Sequence, residues 1–151
     1  MTADPADLLY DLTVRLKEAV HADRCTFWVT DRAKGEVYSI VALGIETGEI
    51  RVPMHRGVVG SVARTGQPLR VKDAYNDPRF NRAVDEQTGY RSKSMLTMAI
   101  KNEKKQVIGV LQALNKQGQE GIFTPEDQTA MQVFCDEAAK LLASAPAVAN
   151  S

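Results

Sequence analysis

The sequence predicts an α+β sandwich: a central, mostly antiparallel sheet with the N- and C-terminal helices together on one face. Three observations carry this. Apolar stripes at helical spacing mark the two ends of the chain. Six short β-rich runs lie between them, and several are joined by turns too short for a crossover. Two short segments, each closed by a glycine, read as small helices set outside the sheet.

Asp4-Pro5 opens the first helix as N-cap and first residue. Leu8, Leu12, Leu16 and Ala19, widened by Leu9 and Val20, form its stripe, and the helix is expected to end near Ala22-Asp23. From Arg24 to Thr30 the pattern alternates, with Cys25, Phe27 and Val29 on one face and Thr26, Trp28 and Thr30 on the other. The turn Asp31–Gly35 then leads to a second run, Val37–Leu43, and the two read as a hairpin. Ile50–Met54 is a short extended piece that Pro53 places at an edge.

Gly57–Gly66 reads as a short helix with Gly66 beyond its C-terminus, followed by a brief strand at Leu69–Val71. Asp73–Arg79 is expected as loop, with Asn76-Asp77-Pro78 a strong turn signal. A second short helix is expected around Asn81–Gln87, closed by Gly89. Met95–Ile100 and Gln106–Leu114 are the clearest strands, joined by Asn102–Lys105 as a hairpin turn. Ile108, Val110 and Leu114 are read as one face, with Gln112 a polar residue inside it that must find a partner. The last helix runs from Pro125 to about Ala143 on a stripe of Met131, Phe134, Ala138 and Leu141. Residues 1–144 form a single domain in this reading, and 145–151 a tail or linker stub.

Nineteen basic and nineteen acidic side chains balance, which removes the electrostatic case for nucleic acid or an anionic membrane as partner. No apolar run approaches the roughly 18 residues of a membrane helix, and the acidic, polar N-terminus does not read as a signal peptide. Cys25 and Cys135 stand apart among apolar residues, so they read as reduced core thiols of a cytoplasmic protein. His21 and His55 share no ligand spacing with them, and neither a metal site, a cofactor nor a catalytic pairing can be assembled.

The stretch from Asn115 to Asp127 joins the last strand to the last helix. Thr124 suits the N-cap, Pro125 the first helical position, and Glu126 and Asp127 the positive helix end. Lys116 is placed to pair with one of these carboxylates, and Phe123 to fill the hollow beneath.

The order of elements, the Gly-flanked short helix and the closing Asn115-Lys116, Phe123, Asp127 pattern resemble a GAF domain over roughly residues 8 to 143. The likeness is to the cyclic-nucleotide-binding GAF domains of phosphodiesterases and adenylyl cyclases, through Glu49–Pro53, Gly57–Gly60, Thr65–Leu69, Asp73–Phe80, Val84-Asp85, Thr88–Arg91 and Val107–Val110. In that subgroup Glu is usual where Gln128 stands here. The resemblance implies a sensory, non-catalytic domain with short helices and a lid over a ligand pocket, a homodimer through its terminal helices, and an output domain in a larger signalling protein. Leu9, Tyr10 and Val14 are candidates for the pairing face.

For a cyclic nucleotide, the resemblance implies an anion cradle at the helix start, from the backbone of Val58 and Val59. Asn81, Asp85, Thr88 and Ser92 match family positions on a lid, where Asp85 would accept from a base amino group and Thr88 and Ser92 would donate to ribose or phosphate. Gln112, where relatives are acidic, would read the base edge, and Thr26 is a weaker candidate. Ala42 and Leu43 replace an aromatic and an acidic residue, leaving Leu43 as an apolar wall. Asn115, Lys116, Phe123 and Asp127 are read as a structural lock beside the pocket. The alternatives are a sensor of another small molecule and a ligand-free dimerisation or scaffold module.

Overall fold

A computed structural model describes residues 4–43 and 49–143; the proposed tail at 145–151 lies outside the described residues. The chain runs α1 (Pro5–Ala19), β1 (Ala22–Asp31), β2 (Glu36–Leu43), β3 (Arg51–Pro53), α2 (Gly57–Thr65), β4 (Leu69–Val71), α3 (Ala83–Thr88), β5 (Met95–Lys101), β6 (Val107–Lys116) and α4 (Pro125–Ala143). The strands form one six-stranded sheet in the order β3-β2-β1-β6-β5-β4, and each neighbouring pair is antiparallel. None of the described helices is long and apolar enough to cross a membrane.

The central β1–β6 pairing divides two apolar layers. On one face Leu12, Leu16, Phe27, Leu96, Leu111, Met131 and Leu142 are buried between the sheet and the terminal helices α1 and α4. On the other, Trp28, Val37, Val62 and Val110 pack under α2, while Val58, Met95 and Leu114 continue the layer toward Tyr75 and Phe80. The alternation expected along β1 is observed, with Cys25, Phe27 and Val29 facing the terminal helices. Arg15 of α1 bonds Glu137 of α4 across the outside of the helix pair.

Several elements differ from the sequence reading. Helix α1 stops at Ala19, because His21 adopts φ +53° and Ala22 is already paired with Lys116. Strand pairing therefore overrides the helical pattern by three residues at this end. Ala74–Asn76, expected as loop, makes one 3₁₀ turn. Helix α3 begins at Ala83, since the Asn81 side chain accepts from the Ala83 amide at 3.1 Å and acts as a local turn former.

Two expected faces also change. Ile108 packs with the terminal-helix core, away from Val110, because β6 carries one extra residue relative to β5 between the pairs Ile100–Gly109 and Lys101–Val107. Leu43 pairs with Cys25 and packs against the same core, whereas Ala42 pairs with Thr26 on the opposite face. Adjacent strand residues point to opposite sides, so Ala42 and Leu43 cannot share one ligand wall.

Gly60 sets how closely α2 lies on the edge strand. A Cβ there would sit 2.9 Å from the carbonyl oxygens of both Pro53 and Met54.

The closing stretch is a clasp. Thr124 Oγ1 accepts from the Asp127 amide at 3.1 Å, and Asp127 Oδ2 accepts from the Thr124 amide at 3.0 Å, a reciprocal cap with Pro125 at the first helical position. Of the two candidate carboxylates, Lys116 chooses Asp127, at 2.9 Å, and the same ammonium donates to the carbonyl of Val20 at 2.9 Å. Phe123 is buried in the terminal-helix core, with the ammonium 5.9 Å from its ring.

Burial opposes ionisation of Asp127, but its bonds from Thr124 and Lys116 outweigh that and hold its carboxyl below the usual carboxylate range. Asp127→Ala is expected to lower stability by about 1–2 kcal/mol in urea unfolding with an unchanged m value. Because the folded pKa is depressed, this contribution is full above the unfolded value of about 4 and is lost as pH falls through the folded value. The stability gap between wild type and Asp127→Asn should therefore narrow below about pH 4; a gap that stays constant down to pH 2 would contradict the assignment.

Candidate functional site

The face of the sheet opposite the terminal helices carries a cavity of about 50 Å³ between the floor, the start of α2 and the segment from Phe80 to Ser92. A site of this size holds a few water molecules, whereas small-ligand pockets run to roughly 300 Å³ or more. The segment from Phe80 to Ser92 leaves no more room than this above the sheet.

The floor is built from strand alternation. Trp28, Met95, Gln112 and Leu114 reach the cavity from β1, β5 and β6. Gln112 is buried, and its partners are now visible: Oε1 accepts from Trp28 Nε1 at 3.3 Å, and Nε2 donates to Thr97 Oγ1 at 3.2 Å. Thr26 is paired with Gln112 across the strands and is buried beside it, behind the cavity lining.

One wall is the first turn of α2. Gly57 has φ +82°, a backbone state that disfavours other residues, and a Cβ there would press on Asn81 at 3.1 Å. Val58 and Val59 line the cavity at this helix start. Arg56, at the N-cap, supplies no capping acceptor, and the first turn holds no acidic residue. The positive end of the helix and Arg56 therefore lie together at the cavity with no acidic residue in the helix's own first turn, and Asp85 is the carboxylate that shares the lining.

The lid is held by its own polar groups. Asp85 is 6% exposed and accepts three hydrogen bonds, from the Tyr75 hydroxyl, the Ser92 amide and the Ser92 hydroxyl, each at 2.7 Å. The bond to Asp85 raises the Tyr75 phenol above its ordinary pKa. The guanidinium groups of Arg82 and Arg91 lie 4.8 and 4.2 Å from the centre of the Tyr75 ring, and Phe80 meets it edge-on at 5.1 Å. Thr88 donates back to the Val84 carbonyl at 2.9 Å.

Where the lid returns to the sheet, Asn115 grips it. This residue has φ +58°, a left-handed state that Asn tolerates. Its Oδ1 accepts from the amides of Lys93 and Ser94 at 2.6 and 3.2 Å, and its Nδ2 donates to the Tyr90 hydroxyl at 2.7 Å and the Arg91 carbonyl at 3.0 Å. Tyr90 in turn donates to Asp23 at 2.7 Å; burial first, and then this bond, push its pKa well up.

Of the residues expected at the ligand, Val58, Val59, Asn81, Asp85, Thr88, Ser92 and Gln112 are gathered at the cavity. Thr26 and Ala42 share the face without lining it, and Leu43 is on the other side of the sheet. Asp85, Thr88 and Ser92, expected to serve a nucleotide, here bond one another and the lid backbone. The sequence reading missed Trp28, Arg56, Phe80, Tyr90 and Met95 as lining residues. Trp28 was findable, because it falls on the same face of β1 as Thr26.

The fold matches the GAF domain of a phosphoenolpyruvate-protein phosphotransferase from Coxiella burnetii, with a TM-score of 0.84 at 23% identity, over 97% of this chain and 86% of that one. It also matches free methionine-R-sulfoxide reductase from Neisseria meningitidis, solved with its substrate, with a TM-score of 0.78 at 21% identity, over 96% of this chain and 81% of that one. In sequence, 143 residues are 33% identical to dual 3′,5′-cyclic-AMP and -GMP phosphodiesterase 11A from Takifugu rubripes, covering 87% of this chain and 16% of that protein. The chain thus spans about a sixth of the length of that relative. The family model for the GAF domain matches residues 4–142, nearly the whole of the sandwich, its lid and its clasp, and the chain belongs to the GAF domain family.

Proposed function

We propose that this GAF domain is a cytoplasmic sensor whose lidded cavity takes a cyclic nucleotide, and that it acts as a regulatory, non-catalytic part of a larger signalling protein with an output domain. The observation that carries the reading is the pairing of an anion-favouring wall with an apolar floor. Arg56 and the uncapped start of α2 suit a phosphate, while Trp28, Phe80, Met95 and Leu114 suit the flat face of a base. The relative named for both cyclic AMP and cyclic GMP supports this choice of ligand class. Asn81 and the second lone pair of Gln112 Oε1, whose amide is otherwise engaged on the sheet floor, suit the base edge or ribose.

The non-catalytic reading is supported by where the thiols lie. Cys25 and Cys135 lie in the terminal-helix core, across the sheet from the cavity, and burial pushes both thiols up to about 12. Among the described residues, neither cysteine nor histidine lines the cavity.

Because the closed cavity is far smaller than a nucleotide, binding must draw on an open-lid state. Calorimetric titration with cyclic AMP and with cyclic GMP is expected to give saturable binding of at least one, together with a rise in melting temperature. Arg56→Ala should weaken that binding by about fivefold or more, roughly 1 kcal/mol, as expected for loss of a charge-assisted phosphate contact. No heat and no thermal shift with either nucleotide at millimolar concentration would overturn the nucleotide reading.

A second reading, a dimerising module that needs no ligand, is favoured by the exposed apolar side chains of the terminal helices, Leu8 and Tyr10 on α1 and Val133 on α4, at 38%, 55% and 65% exposure; Leu9, expected on the pairing face, is instead buried in the core. It predicts a dimer by light scattering at micromolar concentration that Tyr10→Glu with Val133→Glu dissociates. A monomer under those conditions counts against it.

A further inference from the structure

We propose that Asn115 and Lys116 form a two-residue coupling that ties closure of the lid to the seating of both terminal helices. The two residues are consecutive at the end of β6, yet their side chains bind different bodies. Asn115 holds the lid return, through Tyr90, Arg91, Lys93 and Ser94. Lys116 holds the C-terminal end of α1 through the Val20 carbonyl, and the first turn of α4 through Asp127.

Both are saturated. Asn115 uses two acceptor positions and two donors, which is the full capacity of an amide side chain. Lys116 adds its backbone amide, donated to the Ser94 hydroxyl at 3.0 Å, so the lid return and the clasp also meet directly. The line of bonds is continuous: α3 to Ser92 through Asp85, residues 93 and 94 to Asn115, Ser94 to Lys116, and Lys116 to α1 and α4. Lys93 is held a second time, by its carbonyl accepting from the Ala74 amide at 2.7 Å, so the lid return moves together with the segment that carries Tyr75.

The two-state element is the lid, because a cavity of about 50 Å³ must enlarge before any ligand of ordinary size enters. Moving residues 90–94 strips acceptors and donors from Asn115, whose backbone is continuous with Lys116. Coupling of this kind is reciprocal: if opening the lid loosens the clasp, loosening the clasp must open the lid. The inference rests on the reading of residues 80–92 as a lid and is independent of what the lid admits. It is therefore tested without ligand, so a failed nucleotide titration and a failed coupling test are separate results.

The test is amide hydrogen exchange on the intact chain, residue by residue. Lys116→Met keeps the aliphatic stem and removes the ammonium, and Asp127→Asn is the milder companion should Lys116→Met fold poorly. Either is expected to speed exchange at Ser92, Lys93 and Ser94 by about fivefold or more. Thr124→Ala weakens the α4 cap but leaves the Lys116–Asp127 pair, and should change those amides by less than about twofold. Asn115→Gly suits the left-handed backbone and removes the grip, so in its background the effect of Lys116→Met on the lid should be clearly reduced, the remainder passing from the Lys116 amide to the Ser94 hydroxyl. Unchanged lid exchange in both clasp variants would overturn the coupling. So would an equal rise in Thr124→Ala, which would mean general loosening, or a full effect of Lys116→Met persisting without Asn115.

Discussion

The structure hinges on one ammonium group. Lys116 leaves the sheet at the end of β6, and its Nζ lies within 3.0 Å of both a backbone carbonyl at the end of α1 and a carboxylate at the start of α4. The helix ends concerned carry opposite partial charges, and each is completed by the matching group. The negative C-terminal end of α1 receives a cation at Val20, and the positive N-terminal end of α4 receives Asp127. A single side chain thus satisfies two helix termini and fixes both against the same strand. With side-chain exposures of 16% and 11%, the pair is shielded from most of the screening that makes surface pairs weak. The apolar layer under α1 and α4 supplies the bulk of the burial, but the clasp determines where along the sheet those helices end.

The opposite face is organised by the same logic of satisfied polar groups. Asp85, Ser92, Thr88, Gln112 and Asn115 would each cost free energy if buried without partners. Each instead finds one within the protein, and the result is a small cavity whose polar lining is already partnered. Arg56 and the start of α2 are different, because they bring positive potential to the cavity that no acidic residue of the helix answers. The contrast separates groups that hold the lid from groups available to a ligand, a distinction that residue type alone does not make.

Much of the fold was legible because period and punctuation agreed. The β1 alternation placed Phe27 and Trp28 on opposite faces, Gly66 and Gly89 ended their helices in left-handed conformations, and Thr124-Pro125 with Asp127 announced the last helix before any tertiary contact was known. Illegible features were those set by pairing. Leu43 and Ile108 sit in runs of apolar residues with no clear alternation, so their faces are decided by cross-strand register and by an extra residue in β6. At the site, position was easier to read than role. Asp85 was expected on the lid and lines the cavity, but its partner Tyr75 lies in the 3₁₀ turn ten residues earlier, and nothing in local sequence points one at the other. Asn115 stood out as half of a motif, while its four bonds depend on a backbone φ of +58° that the sequence alone does not announce.

These internal bonds also constrain what can bind. Opening the lid far enough to part α3 from Ser92 breaks two hydrogen bonds to Asp85, and parting it from Tyr75 as well breaks a third, each contributing a net ~1 kcal/mol or more because the acceptor is a buried carboxyl group. A purely apolar ligand would leave that carboxylate unsatisfied and would have to offset the whole loss from burial. A ligand that carries donors for Asp85, an acceptor for Ser92 and an anion for the α2 wall restores what opening removes, and it alone makes the open or re-closed state competitive. Selectivity in such a site comes less from the shape of an empty pocket than from the bonds the protein already makes with itself. Those bonds run without interruption to Asn115, so a ligand that substitutes for them acts on the same network that seats the terminal helices.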